Sequence, residues 1–320
     1  ILPRIDRNSD GDITLGVNWR ASNLNGLNQT SRLTVSHKNY HDASVDDEYR
    51  IKWKFSYPRI VGTRNSGFFN INLSQSELDE EREGVQGDYE QRKYVVGFGM
   101  GRWFSPNGLS QGLHGSVGLE YQRFEFEHLK GYAGFYDDVT EIALKGEFSY
   151  RKVHDLLYSR KGYTTGIALE QASESLGSDR PYFHQYAWYR RYIPLAWREH
   201  SNFNFQVQMA HGDHSIFGDP VYELSGGKSL RGYSREVLEG DSYFLVNTEF
   251  LTPIFGQKSL RAGLLFDFGN VYDSFSEITE LEFESGVGFG LRWIPKQWVD
   301  VEVRLDVAQG LGDEGETKVY

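Results

Sequence analysis

Apolar and polar residues alternate along most of this chain with a period of two. From Tyr49 to Tyr57 the apolar positions are Tyr49, Ile51, Trp53, Phe55 and Tyr57, with Arg50, Lys52, Lys54 and Ser56 between them. Ile13, Leu15, Val17 and Trp19 alternate in the same way with Thr14, Gly16, Asn18 and Arg20. The rhythm returns at Phe69–Ile71–Leu73, Val117–Leu119–Tyr121, Phe203–Phe205–Val207, Phe244–Val246 and Val299–Val301–Val303–Leu305–Val307. Successive side chains of a strand point to opposite faces, so this period predicts strands, and no convincing helical period competes with it. About fifteen segments carry it, over 11–20, 29–38, 47–57, 67–75, 88–104, 112–127, 137–151, 162–171, 181–192, 201–211, 242–252, 259–271, 282–294, 298–308 and 315–320. A further short segment is expected over 1–7.

Short Gly/Asn/Pro turns such as "NLNGLNQ" and "SPNGLSQG" alternate with longer acidic loops such as "SELDEEREGVQGD". No composition shift marks a boundary, so residues 1–320 read as a single domain. Two architectures fit. A sandwich or propeller buries the apolar face against a second sheet. A transmembrane barrel turns that face to lipid and keeps the polar face inside. The polar face carries Arg20, Lys52, Lys54, Glu120, Lys145, Glu147, Glu302, Arg304 and Asp306, too many charges for a dry core. Tyr57, Trp103, Tyr121, Tyr150, Trp293 and Trp298 fall near segment ends, as membrane-interface girdles do. The expected fold is therefore an all-β, antiparallel transmembrane barrel of sixteen strands, or fifteen with one incomplete, with both termini on one side.

Composition narrows the chemistry. The chain has no cysteine, so it has no disulfide framework and no thiolate metal site. Its formal charge of −11 argues against a nucleic-acid partner. No apolar run of helix-spanning length exists, and no signal peptide is visible at the start. "DRNSDGDI" at 6–13 mimics a calcium loop, but the position that should hold a bidentate Glu is Val17. It reads as a polar turn. "HGDH" at 211–214 offers two imidazoles without a further ligand. "GFGMG" at 97–101 and "GVGFG" at 286–290 resemble nucleotide loops by letter only, and read as glycine stripes on a strand face. The acidic runs at 79–81 and 137–138 read as solvated loops. Neither a catalytic residue, a metal nor a cofactor is expected.

One stretch breaks the alternation. Residues 212–241 form a long insertion containing "GGKSLRGYSREVLEGD", followed by "YFLVNTEFLTP" and "LLFDFGNVYD". These three pieces in this order resemble the outer-membrane protein 85 superfamily, especially its BamA/TamA-type barrels. That resemblance implies a sixteen-stranded barrel whose long loop folds back into the lumen and sets an (L/V)RG(F/Y) tip against the wall. Here the tip is Leu230, Arg231, Gly232 and Tyr233, with Gly226, Gly227 and Gly269 as close-packing glycines. The implied acidic partners are Glu249 in "EFLTP" and Asp267 in "FDFG". Parity agrees with the resemblance: Leu245, Asn247 and Glu249 share one strand face, as do Arg261, Gly263, Leu265, Asp267 and Gly269. Both acids should face the lumen, within reach of a guanidinium that can fork onto a carboxylate. The tip is expected to pack near Gly263 and Gly269, with Gly286 and Gly288 beyond.

The resemblance further implies a bacterial outer-membrane location, in contact with lipid and lipopolysaccharide. It implies unfolded outer-membrane or secreted polypeptides as clients, and POTRA domains or accessory proteins as partners; no POTRA domain is read in these 320 residues. Three functions follow as expectations. One is an insertase or translocase working through a lateral seam between the first and last strands. The others are a two-partner-type secretion pore, and a passive pore or surface antigen without an assembly role.

Overall fold

The computed structural model describes residues 2–7, 13–24, 26–39, 47–60, 62–82, 84–105, 111–156, 158–213, 221–224, 226, 229–234, 238–280, 282–294 and 303–320. The turn over 8–12, His214, Gly227, Trp298, Val299, Val301 and Glu302, all named above, lie outside these residues.

Sixteen strands form one antiparallel sheet in which each strand pairs with the next along the barrel wall. The first half holds β1 (Leu2–Arg7), β2 (Ile13–Leu24), β3 (Gln29–Asn39), β4 (Glu48–Tyr57), β5 (Asn65–Arg82), β6 (Val85–Trp103), β7 (Gly112–Gly131) and β8 (Val139–Asp155). It continues with β9 (Arg160–Ala172), β10 (Tyr182–Pro194) and β11 (Asn202–Gly212). The long insertion follows; its described residues include a small hairpin, β12 (Tyr222–Glu223) with β13 (Glu239–Gly240). The wall resumes with β14 (Ser242–Ile254), β15 (Gln257–Tyr272), β16 (Glu284–Trp293), β17 (Val303–Gly310) and β18 (Thr317–Val319). β14 pairs directly with β11, so the insertion leaves the sheet uninterrupted.

The apolar rows of β2 and β16 show the direction in which the wall turns its apolar face: outward. Ile13, Leu15, Val17 and Trp19 on β2 are each at least 41% exposed, and Val287, Phe289, Leu291 and Trp293 on β16 are similarly bare. A water-soluble protein does not display so continuous an apolar belt, and hydrocarbon is the solvent that satisfies it. The intervening positions point inward: Gly286, Gly288, Gly290 and Arg292 on β16 are all buried. No helix among the described residues is long and apolar enough to cross a membrane; the crossing is made by strands. The molecule is thus an all-β transmembrane barrel. An even strand count puts both ends of the wall on the side of the short turns, which is the periplasmic side in barrels of this kind.

One expectation changes. "SELDEEREGVQGD" is not a loop. Asp79, Glu80 and Glu81 belong to β5 and pair with Asp88, Gly87 and Gln86 of β6. Their charges are tolerated because these strands are much longer than the 9–11 or so residues needed to cross the bilayer. The hairpin therefore continues into solvent. Loop 132–138 folds over it, with Tyr136 stacked on Phe126 and its hydroxyl 2.5 Å from Glu80. The end of the wall matches the expected incomplete strand: β18 is three residues long and registers with β17 at three positions, flanked by Asp306–Tyr320 and Gly310–Glu316 backbone bonds, the shortest wall ladder among the described strands. No ladder between β1 and β18 occurs among the described residues.

Candidate functional site: the lumenal loop tip

The loop between β11 and β14 turns back into the barrel. Leu230 and Tyr233 are fully buried, and Leu230 packs with Leu224, Leu238 and Leu245. The wall supports the loop backbone, with the Asn247 side-chain amide donating to the Ser229 carbonyl at 2.7 Å.

Register dictates what the tip meets. Asn247 on β14 lies beside Asp267 on β15, which lies beside Gly286 on β16, which lies beside Gly310 on β17. The row thus runs from two polar side chains to two glycines. A Cβ at Gly286 would overlap the Arg231 carbonyl, and one at Gly310 would overlap the Gly232 carbonyl. The missing side chains make the trough in which the tip sits. Gly232 itself has φ +96°, and a Cβ there would overlap the Gly310 nitrogen. Both its conformation and its space require glycine.

Arg231 is 2% exposed. Its Nε and Nη2 each lie 2.5 Å from a different oxygen of Asp267, a two-pronged fork. Its own backbone N–H adds a third contact to Asp267 at 3.3 Å, and Asn247 donates a fourth at 2.9 Å. Nη1 reaches Glu249 at 3.3 Å. Burial works against the Arg231 charge; the Asp267 hydrogen bonds and charge, with Glu249 and Asp306 behind, outweigh it and hold its pKa above the ordinary arginine range.

The cluster is larger than the sequence alone indicates. Arg292 forks onto Asp306 and contacts Glu249 at 3.0 Å. Arg304 bonds Asp306 at 2.7 Å and Glu249 at 3.3 Å. Three guanidinium groups, of Arg231, Arg292 and Arg304, therefore face three carboxylates, of Glu249, Asp267 and Asp306. Buried charge costs several kcal/mol per ion unless matched, and here the formal sum is zero. Gly290 admits this arrangement, since a Cβ there would overlap the Asp306 carboxylate and crowd Arg292. Strand parity was the signal for Arg292: it shares the inner face of β16 with Gly286, Gly288 and Gly290.

Three expectations about the tip are corrected. Glu249 is not waiting for Arg231 alone; Arg292 and Arg304 also hold it, so Arg231 is chiefly the partner of Asp267. Tyr233 packs not at Gly263 but against Gly310, with its hydroxyl 2.8 Å from Glu284 and 2.9 Å from the Ser285 carbonyl; its partners Leu245 and Glu284 flank Gly269 in register. Gly226 is not a close-packing glycine among the described residues: a Cβ there meets none of them within 4 Å, and glycine serves its positive φ of 94°. Gly269 does lie in close contact, with the Phe244 carbonyl and with Leu245, itself a member of the cluster that holds Leu230 and Tyr233.

The Tyr233 hydroxyl also accepts the Gly312 N–H at 3.1 Å, so it ties the loop to the β17–β18 turn. Tyr233→Phe keeps the ring and removes these bonds. We expect a loss of about 1–2 kcal/mol, read from unfolding midpoints in detergent, because the partners are left partly unsatisfied.

An antiparallel transmembrane barrel with one long loop pinned inside its lumen defines a class of outer-membrane protein distinct from an open porin. An Omp85 superfamily domain matches residues 23–295, and the chain belongs to that superfamily. It is an outer-membrane β-barrel of a family concerned with protein assembly and transport. Among solved structures it is similar to BamA from Haemophilus ducreyi lacking POTRA domains 1–3, with a TM-score of 0.69 and 13% identity. CdiB from Acinetobacter baumannii gives 0.68 and 16%, and CdiB from Escherichia coli 0.68 and 13%. The alignments cover 99%, 98% and 98% of this chain but 67%, 57% and 61% of those chains. At such identities the likeness is one of fold. No curated protein sequence matches.

Proposed function

We propose that this barrel is an insertase-type machine of the bacterial outer membrane, which helps polypeptides insert or cross by way of a lateral seam between its first and last strands. Arg231 is the latch of this machine and Asp267 its keeper. On this reading the chain is not an enzyme and uses no cofactor. Its clients are unfolded outer-membrane or secreted polypeptides, delivered by POTRA or accessory domains.

The observation that carries the reading is the loop tip, bound through buried ions to the wall three strands from the end of the sheet. A passive pore gains nothing from a plug fixed at such a desolvation cost. The short β17–β18 ladder supports the seam, because the last strand is held by fewer register positions than any other described wall strand, so this end of the sheet is the least costly to part for an incoming strand. Secretion through the lumen is the second reading, supported by a cavity of about 1010 Å³ inside the barrel and by the fold shared with the CdiB proteins.

Reconstitution separates these readings. Liposomes carrying the barrel should speed the appearance of folded, heat-modifiable client barrels. Protease-protected client inside the liposome without insertion would favour secretion. A large, steady single-channel conductance with neither activity would overturn both.

A further inference from the structure

Besides the latch, the lumen holds a basic, amide-lined chamber on the short-turn side of the loop. Its volume is about 1010 Å³, at the upper end of the range for ligand sites. Among the described residues, six arginines line it: Arg160, Arg190, Arg231, Arg261, Arg292 and Arg304. Two carboxylates, of Asp155 and Glu249, share the lining, and Asp267 and Asp306 stand behind it, bonded to the arginines of the latch. Six cations against four carboxylates leave a surplus of two positive charges, in a chain whose formal charge is −11. The surplus is therefore local to this chamber and opposite in sign to the molecule.

The second feature is a row of amides. The stretch "NFNFQVQ" on β11 sends Phe203, Phe205 and Val207 to one face and Asn202, Asn204, Gln206 and Gln208 to the other. All four amides line the chamber. Arg190 is the neighbour of Gln206 across the β10–β11 ladder, and its buried Nε makes no hydrogen bond among the described residues. Arg261 reaches the same row through the Asn202 carbonyl oxygen at 3.0 Å. Amides spaced two residues apart along a strand repeat at about 6.6–6.8 Å, which is also the repeat of alternate side chains on an extended polypeptide. Each amide carries a donor and an acceptor; Asn202 and Asn204 hold one another, Arg261 and Glu249, and Gln208 accepts from Tyr186, so the row is a fixed line of oriented dipoles beside guanidinium groups that can fork onto a carboxylate.

We propose that this chamber is a binding site for an extended polypeptide segment bearing carboxylates at alternate positions, with the β11 amides and the Arg190 and Arg261 guanidinium groups as its recognition elements. This rests on the polypeptide-handling reading above and names the chemical class of segment that the lumen accepts. A low-dielectric wall focuses the field of the surplus charge, so the interaction is strongest at low salt.

The test uses the whole barrel in detergent and two fluorescein-labelled octapeptides, one alternating Glu with Ser and one alternating Lys with Ser. Fluorescence anisotropy should show the acidic peptide binding at least about tenfold more tightly than the basic one, a preference that shrinks as salt is raised. Arg190→Gln should weaken the acidic peptide by about tenfold, the effect of losing one charge-assisted contact. Arg190 lies outside the latch cluster, and an unchanged unfolding midpoint will show the variant to be folded. Asn204→Leu, a second amide-row variant, should weaken both peptides together, since the amides read backbone rather than charge. Equal affinity for the two peptides, or acidic-peptide binding untouched by Arg190→Gln in the folded variant, would overturn the proposal. Neither result bears on client assembly in liposomes, which tests the underlying reading separately.

Discussion

Arg231→Ala is expected to lower the stability of the barrel by roughly 3–5 kcal/mol, the cost of removing one partner from a buried ion pair. The reason is the asymmetry of the cluster. Glu249 keeps Arg292 and Arg304, and Asp306 keeps the same two. Asp267 loses both prongs of the fork and retains only the Asn247 amide among its side-chain partners. A carboxylate that is 1% exposed would then be left with a charge and too few donors. Arg231→Lys should restore only part of the loss, because an ammonium cannot present two parallel donors. The double variant Arg231→Ala/Asp267→Asn should be clearly more stable than Arg231→Ala alone, since it removes the stranded charge as well. Unfolding midpoints in detergent, followed by heat-modifiable gel mobility, read all four proteins. A double variant no better than the single would sink the ionic account of the latch. Single-channel recording adds a functional reading: the wild-type loop should keep conductance low, and release of the tip should raise it.

The second large effect is steric. Gly232→Val puts a β-branched residue at φ +96° and drives its Cβ into the Gly310 nitrogen and the Gln309 carbonyl carbon. The backbone strain alone costs about 1–3 kcal/mol. The overlap is with wall backbone, which cannot move aside, so the tip cannot seat. We expect Gly232→Val to match Arg231→Ala in conductance and in lost stability even though every charge is still present. Gly226→Ala is the control. It also has a positive φ, of 94°, but its Cβ meets no described residue within 4 Å, so the cost should stay near 1 kcal/mol and conductance should remain low. If Gly232→Val conducts and unfolds like wild type, the trough formed by Gly286 and Gly310 does not hold the loop.

The two perturbations act on different links of one chain of causes. Arg231 supplies the attraction, and Gly232, Gly286 and Gly310 supply the approach that makes it attainable. Both depend on the insertion lying between β11 and β14, because only from there can the tip lie on β15, β16 and β17 together. Tyr233 extends the contact to the β17–β18 turn, so release of the tip also loosens the end of the sheet where the seam is proposed.

Much of this protein is legible before folding is considered. A period of two is a local property of the backbone, so the strands, their inner and outer faces and the membrane crossing follow from residues such as Ile13, Leu15, Val17 and Trp19. The same parity turns Glu249 and Asp267 inward, and the break in alternation marks the insertion that carries Arg231. Tertiary structure decided what parity cannot. Parity says which way a side chain points, whereas register says which row it joins, and register comes from pairing across strands distant in sequence. That is why Arg292, Arg304 and Asp306 joined the latch, and why Asp79–Glu81 proved to be strand rather than loop. It is also why Tyr233 met Gly310 and not Gly263, and why a Cβ at Gly226 meets none of the described residues within 4 Å. The charges and glycines were all visible in the chain; which of them share one cavity was fixed only when sixteen strands set the insertion against the wall.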